Sequence, residues 1–246
     1  MLRSVFMWGL LSVSLFMNVG TAAEGGESVT ITSAMGTTLQ GYVAGPEDAS
    51  RAILLLHDRW GFNETMRQWA DQWAAKGYRV LAIDVFDGRA SNNMKLATEI
   101  MGSVDPEWIK QDLLAGLKYL AAPRRAIATV GAGLGGWQSF QAALLAPEQV
   151  AATVVIYGEI STVAKEVSRV RAPVLAVFAA SDREISTGMV NQYQLALKKS
   201  DAINRFVTVA ANHGFMDPHY PGYSPVQAQE TWEQVERFLS ANIGDI

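Results

Sequence analysis

Short apolar runs alternating with helical repeats constrain what this chain can fold into. Ala52–Leu56, Arg79–Ile83, Ala126–Val130, Thr153–Tyr157, Val174–Ala179 and Phe206–Val209 read as strands buried on both faces. After the first of them, Met66, Trp69, Ala70 and Trp73 recur at helical spacing, with Asn63 placed to cap that helix and Gly77 to stop it. Asp105-Pro106 opens a helix with Ile109, Leu113, Leu117 and Leu120 on one face, and Gly135–Leu145 forms another. The last helix starts at Ser224-Pro225, where Gln227 completes a capping box, and turns Val226, Trp232, Val235 and Leu239 inward. Ahead of these elements, Val29–Thr32 and Thr38–Val43 flank Met35-Gly36 as a hairpin. The alternation predicts an α/β fold, a mostly parallel central sheet with helices on both faces.

The chain has 246 residues, 49% of them hydrophobic, enough to fill one such core, and no linker, repeat or low-complexity tract divides it. Residues 1–23 read as a secretory signal peptide: Arg3 is the basic end, Val5 to Val19 the apolar stretch, and Gly20-Thr21-Ala22-Ala23 the small-residue site. Cleavage is expected near Ala22/Ala23. The alternative is an uncleaved anchor, but a spanning helix needs roughly 20 apolar residues and this run is shorter. Residues 24–246 are thus expected to form one periplasmic or secreted domain, with no membrane contact after signal removal. Net charge is −4 and no Lys/Arg run interrupts the chain, which argues against nucleic acid as a partner. A small-molecule ligand or substrate is the partner expected, with no cofactor. The chain has no cysteine, so a thiol nucleophile, a zinc-thiolate site and an iron–sulfur cluster are excluded. His213 and His219 flank Asp217 at a spacing that does not suit metal ligation, so no metal is expected.

The segment from Ala126 to Trp137 joins a strand, a glycine turn and a helix, which places the turn at the carboxyl edge of the sheet, where α/β sheets bind ligands. Three readings compete. Gly131, Gly133 and Gly136 match a dinucleotide fingerprint, with Glu159 as a ribose ligand. Gly131-Ala132-Gly133-Leu134-Gly135 also fits the frame of a nucleophile elbow, with Gly133 where the nucleophile belongs. The third reading is a tight turn that only lets a helix pack closely on a strand. Two later strand ends favour the elbow. Asp182 follows Val174–Ala179 and His213 follows Phe206–Val209, so elbow, acid and histidine occur in the chain order of an α/β-hydrolase triad.

Taken together, these motifs resemble the dienelactone hydrolase family of α/β-hydrolases. Leu54 to Glu64, including His57-Asp58-Arg59-Trp60-Gly61, is similar to its first strand and oxyanion-hole loop. Ala82 to Arg89 is similar to its D-L-Y-G-G segment, and Gly131 to Gly136 to its G-x-C-x-G-G elbow. Ser181-Asp182 and His213-Gly214-Phe215 match its acid and histidine signatures, and the likeness runs from about residue 28 to the end. The resemblance implies an α/β-hydrolase fold, an oxyanion hole from the N–H groups of Arg59 and Leu134, and Asp182 orienting His213. It places Asp58 where the family has a Glu that interacts with the nucleophile. Two positions depart from the pattern. The nucleophilic Cys, Ser in some relatives, is Gly133, and an Arg that helps hold the substrate carboxylate is replaced by Asp217, a role left to Arg89.

By resemblance the chain is a hydrolase of the ester and lactone class. Covalent acyl transfer is not expected, because Gly133 has no side chain to attack a carbonyl. Activity would then be noncovalent, with the His213–Asp182 dyad activating water or a substrate proton. The alternative is a pseudoenzyme that binds a small molecule or a partner; a dinucleotide-binding protein ranks behind both. Ser139 and Ser181, considered as displaced nucleophiles, fit the elbow geometry poorly. Asp58, Trp60, Phe86, Arg89, Trp137 and Phe215, with Phe62 and Tyr157 nearby, are expected around the ligand, although aromatics at strand ends also serve as core.

Overall fold

The computed structural model describes residues 25–244; the segment read as a signal, 1–23, lies outside them. Glu27–Thr32 (β1) and Thr38–Ala44 (β2) pair antiparallel across the Met35-Gly36 turn. Arg51–Leu56 (β3), Glu64–Ala74 (α1), Arg79–Asp84 (β4), Met94–Ser103 (α2), Pro106–Leu120 (α3), Ala126–Ala132 (β5) and Leu134–Leu145 (α4) follow. The chain continues through Val150–Ile156 (β6), Ala164–Val167 (α5), Val174–Ala179 (β7), Thr187–Leu197 (α6), Asn204–Val209 (β8) and Pro225–Ile243 (α7). All eight strands join one sheet in the order β1-β2-β4-β3-β5-β6-β7-β8. β2 meets β4 antiparallel, and every pairing from β4 to β8 is parallel.

The continuous apolar runs form strands because both faces are covered. Ala52 to Leu56 are at most 1% exposed. Ile53 and Leu55 join the layer that holds Trp69 and Trp73 of α1 with Val235 and Leu239 of α7, whereas Leu54 and Leu56 face Leu113 and Leu117 of α3. Asn63 caps α1 as its position predicts, its Oδ1 accepting from the Met66 N–H at 3.3 Å. All parallel strands point one way, so the turns after β3, β5, β7 and β8 meet at one edge.

Two expectations about α7 are corrected. The Ser224 hydroxyl bonds the Gln227 side chain instead of the helix backbone, so the capping box does not close. Val226 is 61% exposed, because the buried face runs through Ala228, Thr231, Val235, Phe238 and Leu239. Trp232 is partly buried, edge-on to Trp69 and Trp73 with ring centroids 5.0 and 5.8 Å apart. Among the described residues no group of three or more His, Cys, Asp or Glu could hold a metal ion. No described helix is long and apolar enough to cross a membrane.

Candidate active site

β5 passes into α4 through Gly133 alone, whose backbone has φ +55° and ψ −120°. This is a conformation that glycine adopts without the penalty a Cβ brings. α4 begins hard against the sheet. A side chain on Gly131 would collide with the Gly135 carbonyl, and one on Gly135 with that of Leu56.

The first residues after β3 fill the space this creates. Oδ1 of the buried Asp58 accepts the N–H of Leu134 at 2.9 Å and that of Arg59 at 2.6 Å. Its Oδ2 is buried without a partner. A Cβ built on Gly133 would fall inside this carboxylate, 2.5 Å from Cγ, 2.6 Å from Oδ2 and closer still to Oδ1. Asp58 therefore occupies the volume a side chain at 133 would need, and it holds both N–H groups that the resemblance assigns to an oxyanion hole. The position also caps α4, where exposed N–H groups and the helix dipole favour negative charge. Burial pushes the Asp58 carboxyl up, and the N–H groups of Leu134 and Arg59, with the Arg59 charge and His213, pull against it.

His57 fixes this loop from beneath. Its Nε2 accepts the Val85 N–H at 3.2 Å, so the proton sits on Nδ1 and is donated to the Asp58 carbonyl at 2.7 Å. Full burial pulls the imidazole pKa down, against the opposing effects of the Asp58 carbonyl and Asp84.

The acid and histidine approach from the other side of the turn. Asp182 follows β7, and its Oδ2 lies 2.8 Å from Nδ1 of His213, which follows β8. Oδ1 of Asp182 accepts the N–H groups of Glu184 and Ile185, both at 2.8 Å. Burial would raise this carboxyl, but the His213 bond and those N–H groups outweigh it and hold Asp182 below its ordinary range. The arrangement directs His213 Nε2 away from Asp182, and that atom is buried with no hydrogen-bond partner. Tyr157, at the end of β6 with φ +38°, packs against the His213 ring at 4.9 Å between centroids.

Above Gly133 lies a cavity of about 430 Å³, with Arg59, Leu134, Trp137, Tyr157, Ile185 and His213 in its lining. The volume suits a small organic molecule. Glu184 stands at its edge, paired with the Arg59 guanidinium and 3.7 Å from His213 Nε2.

The structure thus brings Arg59, Gly133, Leu134, Trp137, Asp182 and His213 together, with Asp58 directly against Gly133. Four residues expected around the ligand lie elsewhere. Phe86 is fully buried against His57, 4.7 Å between centroids, and Phe215 is fully buried against Tyr157 at 5.3 Å. Trp60 packs on Tyr220 and borders a separate cleft with His219. Arg89 is held by the Phe86 carbonyl and the Ser103 hydroxyl and lines another cavity, beside Asp84, Asp87 and Asp112. The first three went to core because a strand end is apolar on both sides here; Arg89 turned away after the bend at Asp87-Gly88, where both φ values are positive. Met101, Glu184 and Ile185 line the site without having been expected. The only hint for the last two was their position just after Asp182. Ser139 is fully buried and bonded to Thr129 at 2.9 Å, a core contact, and Asp217 pairs with His219 at 2.8 Å.

This strand order, with an elbow after β5, an acid after β7 and a histidine after β8, defines an α/β-hydrolase fold. The family model of the dienelactone hydrolase family matches residues 39–243, and the chain belongs to that family. An inferred carboxymethylenebutenolidase of Saccharolobus solfataricus is 21% identical over 244 residues, covering 83% of this chain and 94% of that protein. A second, of Aquifex aeolicus, is 23% identical over 217 residues with the same coverage. Among solved structures, a dienelactone hydrolase-like promiscuous phosphotriesterase from metagenomic libraries superposes with a TM-score of 0.77 at 19% identity, covering 89% of this chain and 99% of that one. A dienelactone hydrolase from Anabaena variabilis gives 0.67 at 17% identity with the same coverage. At these identities the two structures speak for the fold.

Proposed function

We propose that this chain is a hydrolase of small organic molecules, of the ester and lactone class by its family, in which His213 activates water and no acyl group is carried on residue 133. The observation that carries this reading is the His213–Asp182 pair at 2.8 Å, with Nε2 buried and without a hydrogen-bond partner beside the cavity. An imidazole so oriented is built to take a proton and to have its cation stabilised by the acid behind it. We further propose that residues 1–23 direct export and that 24–246 form the hydrolase domain.

The second reading, a pseudoenzyme that binds a small molecule, draws on Asp58: with its carboxylate on the N–H groups of Arg59 and Leu134, a carbonyl oxyanion has no place there. The dinucleotide reading is disfavoured for the same reason, since that carboxylate sits where a pyrophosphate would meet the helix N-terminus. The deciding assay follows hydrolysis of small esters and lactones by the natural protein, His213→Gln and Asp182→Asn. His213→Gln is expected to lower kcat/KM by at least about a hundredfold. Turnover that both substitutions leave unchanged would refute the role given to His213, and no turnover of any substrate would favour the pseudoenzyme.

A further inference from the structure

We infer that the oxyanion in this site is held by the guanidinium of Arg59 instead of by backbone N–H groups, and that the Glu184 carboxylate occupies its seat until an ester carbonyl displaces it. The inference rests on the reading above, in which His213 activates water, and it supplies the electrophilic half of that reaction.

The need for such a group follows from the elbow. The N–H groups of Arg59 and Leu134 are taken by Asp58, so they cannot receive the charge that develops on a carbonyl oxygen. Among the residues lining the cavity, the cationic side chain is that of Arg59, which shares the lining with His213 and Glu184. The guanidinium is anchored without Glu184: Nη1 donates to Met94 Sδ at 3.8 Å, and the group lies 5.9 Å from the centre of the Tyr220 ring. Nη2 holds Glu184 Oε2, and the Nε–H on the same edge of the fork is buried without an acceptor. That same Glu184 oxygen lies 3.7 Å from His213 Nε2. An anionic oxygen therefore already sits on Arg59 beside the general base, in the place a substrate oxyanion would take. Glu184 is free to leave it. Its side chain is 41% exposed and, among the described residues, its carboxylate pairs only with Arg59 and His213. Its backbone stays fixed meanwhile by the N–H bond to Asp182 Oδ1 at 2.8 Å.

The hydrolysis balances with water as the only co-reactant. Glu184 swings toward solvent, and the ester carbonyl oxygen takes its seat on Arg59. His213 Nε2 takes a proton from water, and the hydroxide forms a bond to the carbonyl carbon as the C=O π pair moves onto the oxygen. The guanidinium stabilises that charge, and Asp182 stabilises the imidazolium. The bond from carbon to the alkoxy oxygen then breaks, and the alkoxide leaves with the proton from His213. The new carboxylic acid gives its proton to solvent and departs as Glu184 returns. Residue 133 takes no part, and Asp58 keeps its two N–H bonds throughout.

The test uses the full-length protein, with phenyl acetate and dihydrocoumarin as substrates and acetate as a product-like probe. Arg59→Gln keeps the backbone N–H and removes the guanidinium. It should lower kcat by about a hundredfold or more and leave KM within about threefold, the split expected of a group that acts only in the transition state. Arg59→Lys, which keeps the charge, should recover part of that loss. Glu184→Gln should raise kcat/KM by about two- to fivefold, the worth of an exposed ion pair, and tighten acetate binding in calorimetry by about the same factor. That tightening should vanish in Arg59→Gln/Glu184→Gln. An unchanged kcat in Arg59→Gln, a lower kcat/KM in Glu184→Gln, or acetate binding indifferent to both residues would each overturn the inference. The comparison of acetate binding between the natural protein and Glu184→Gln needs neither turnover nor a change at Arg59, so a misfolded Arg59 variant would not weaken the test. Turnover lost in His213→Gln but kept in Arg59→Gln would leave the broader reading standing, and turnover kept in both would remove both.

Discussion

Restoring a side chain at residue 133 should damage the protein through Asp58, and a double-mutant cycle can measure this. In Gly133→Ala the new methyl would lie 2.5 Å from Asp58 Cγ and 2.6 Å from Oδ2, and no real Cβ approaches heavy atoms that closely. The carboxylate must move, which breaks its bonds to Leu134 and Arg59 at 2.9 and 2.6 Å. Hydrogen bonds to a charged group contribute about 1.5–3 kcal/mol each. Holding alanine at φ +55° adds about 1–3 kcal/mol of backbone strain. If one bond re-forms after the shift, Gly133→Ala should cost about 3–5 kcal/mol. Asp58→Ala alone leaves two backbone N–H groups without an acceptor, a loss of about 1–3 kcal/mol. The double variant removes the clash, so only the strain and the lost cap remain. Its destabilisation should therefore fall short of the sum of the two single variants by about 2 kcal/mol or more. Urea unfolding with a constant m-value reads each stability from the transition midpoint. Costs that add within about 0.5 kcal/mol would mean that the two residues do not compete for one space, and the reasoning would fail.

Other substitutions probe the frame around this pair. Asp112 lies half-buried near Asp84 and Asp87, and burial first, then those two charges, push its carboxyl from 3.8 to about 6. The folded protein holds that proton more tightly than the unfolded chain, so this contribution is present below about pH 4 and is lost as pH rises through about 6. Asp112→Asn should accordingly stabilise the protein above pH 7 by about 1 kcal/mol after allowance for solvent screening, seen as a higher thermal midpoint, and confer no advantage near pH 4. His57→Phe should cost about 2–4 kcal/mol in chemical unfolding, because it strands the buried Val85 N–H and frees the Asp58 carbonyl. On α7, Val226→Gln should change stability by less than about 0.5 kcal/mol. Val235→Ala, at a fully buried position of the same helix, should cost about 2 kcal/mol in the same assay.

The sheet was legible because its strands are buried on both faces and spell this out as unbroken apolar runs such as Leu54-Leu55-Leu56. α1 and α3 were legible because one face alone is apolar. α2 was missed for the opposite reason. It buries only Ala97 and Ile100, and leaves Met94 and Leu96 exposed at 43% and 48%, so no stripe marks it. The site was legible where it depends on chain order: Asp182 and His213 follow successive strands. It was hidden where it depends on contact between distant turns. Asp58 and Leu134 are 76 positions apart, and nothing local to either says that one carboxylate will enter the space left by a missing Cβ. The strand-end aromatics erred for a related reason, since sequence cannot tell a side chain beneath the sheet edge from one above it. Phe86 and Phe215 fell beneath, whereas Trp137 and Tyr157 reached the cavity.

Gly133 and Asp58 make sense only as a pair, because one carboxylate fills the volume that a side chain at 133 would need. Had the elbow side chain simply been deleted, the N–H groups of Arg59 and Leu134 would be left facing an empty space; instead both are bonded to Asp58. The arrangement still carries a penalty, because a buried carboxylate with an unpartnered oxygen pays several kcal/mol in lost hydration. A neutral group at this position would remove the charge and keep Oδ1 as acceptor for both N–H groups. The site thus favours the neutral form of this residue. Asparagine mimics that neutral form in the same shape. Asp58→Asn should therefore be as stable as the natural protein or more so, by up to about 2 kcal/mol, while Asp58→Ala is less stable by about 1–3 kcal/mol. The two variants, unfolded in urea side by side at neutral pH, settle the point. An asparagine variant as unstable as the alanine one would show that the charge holds the loop together, and would make Asp58 a structural cap.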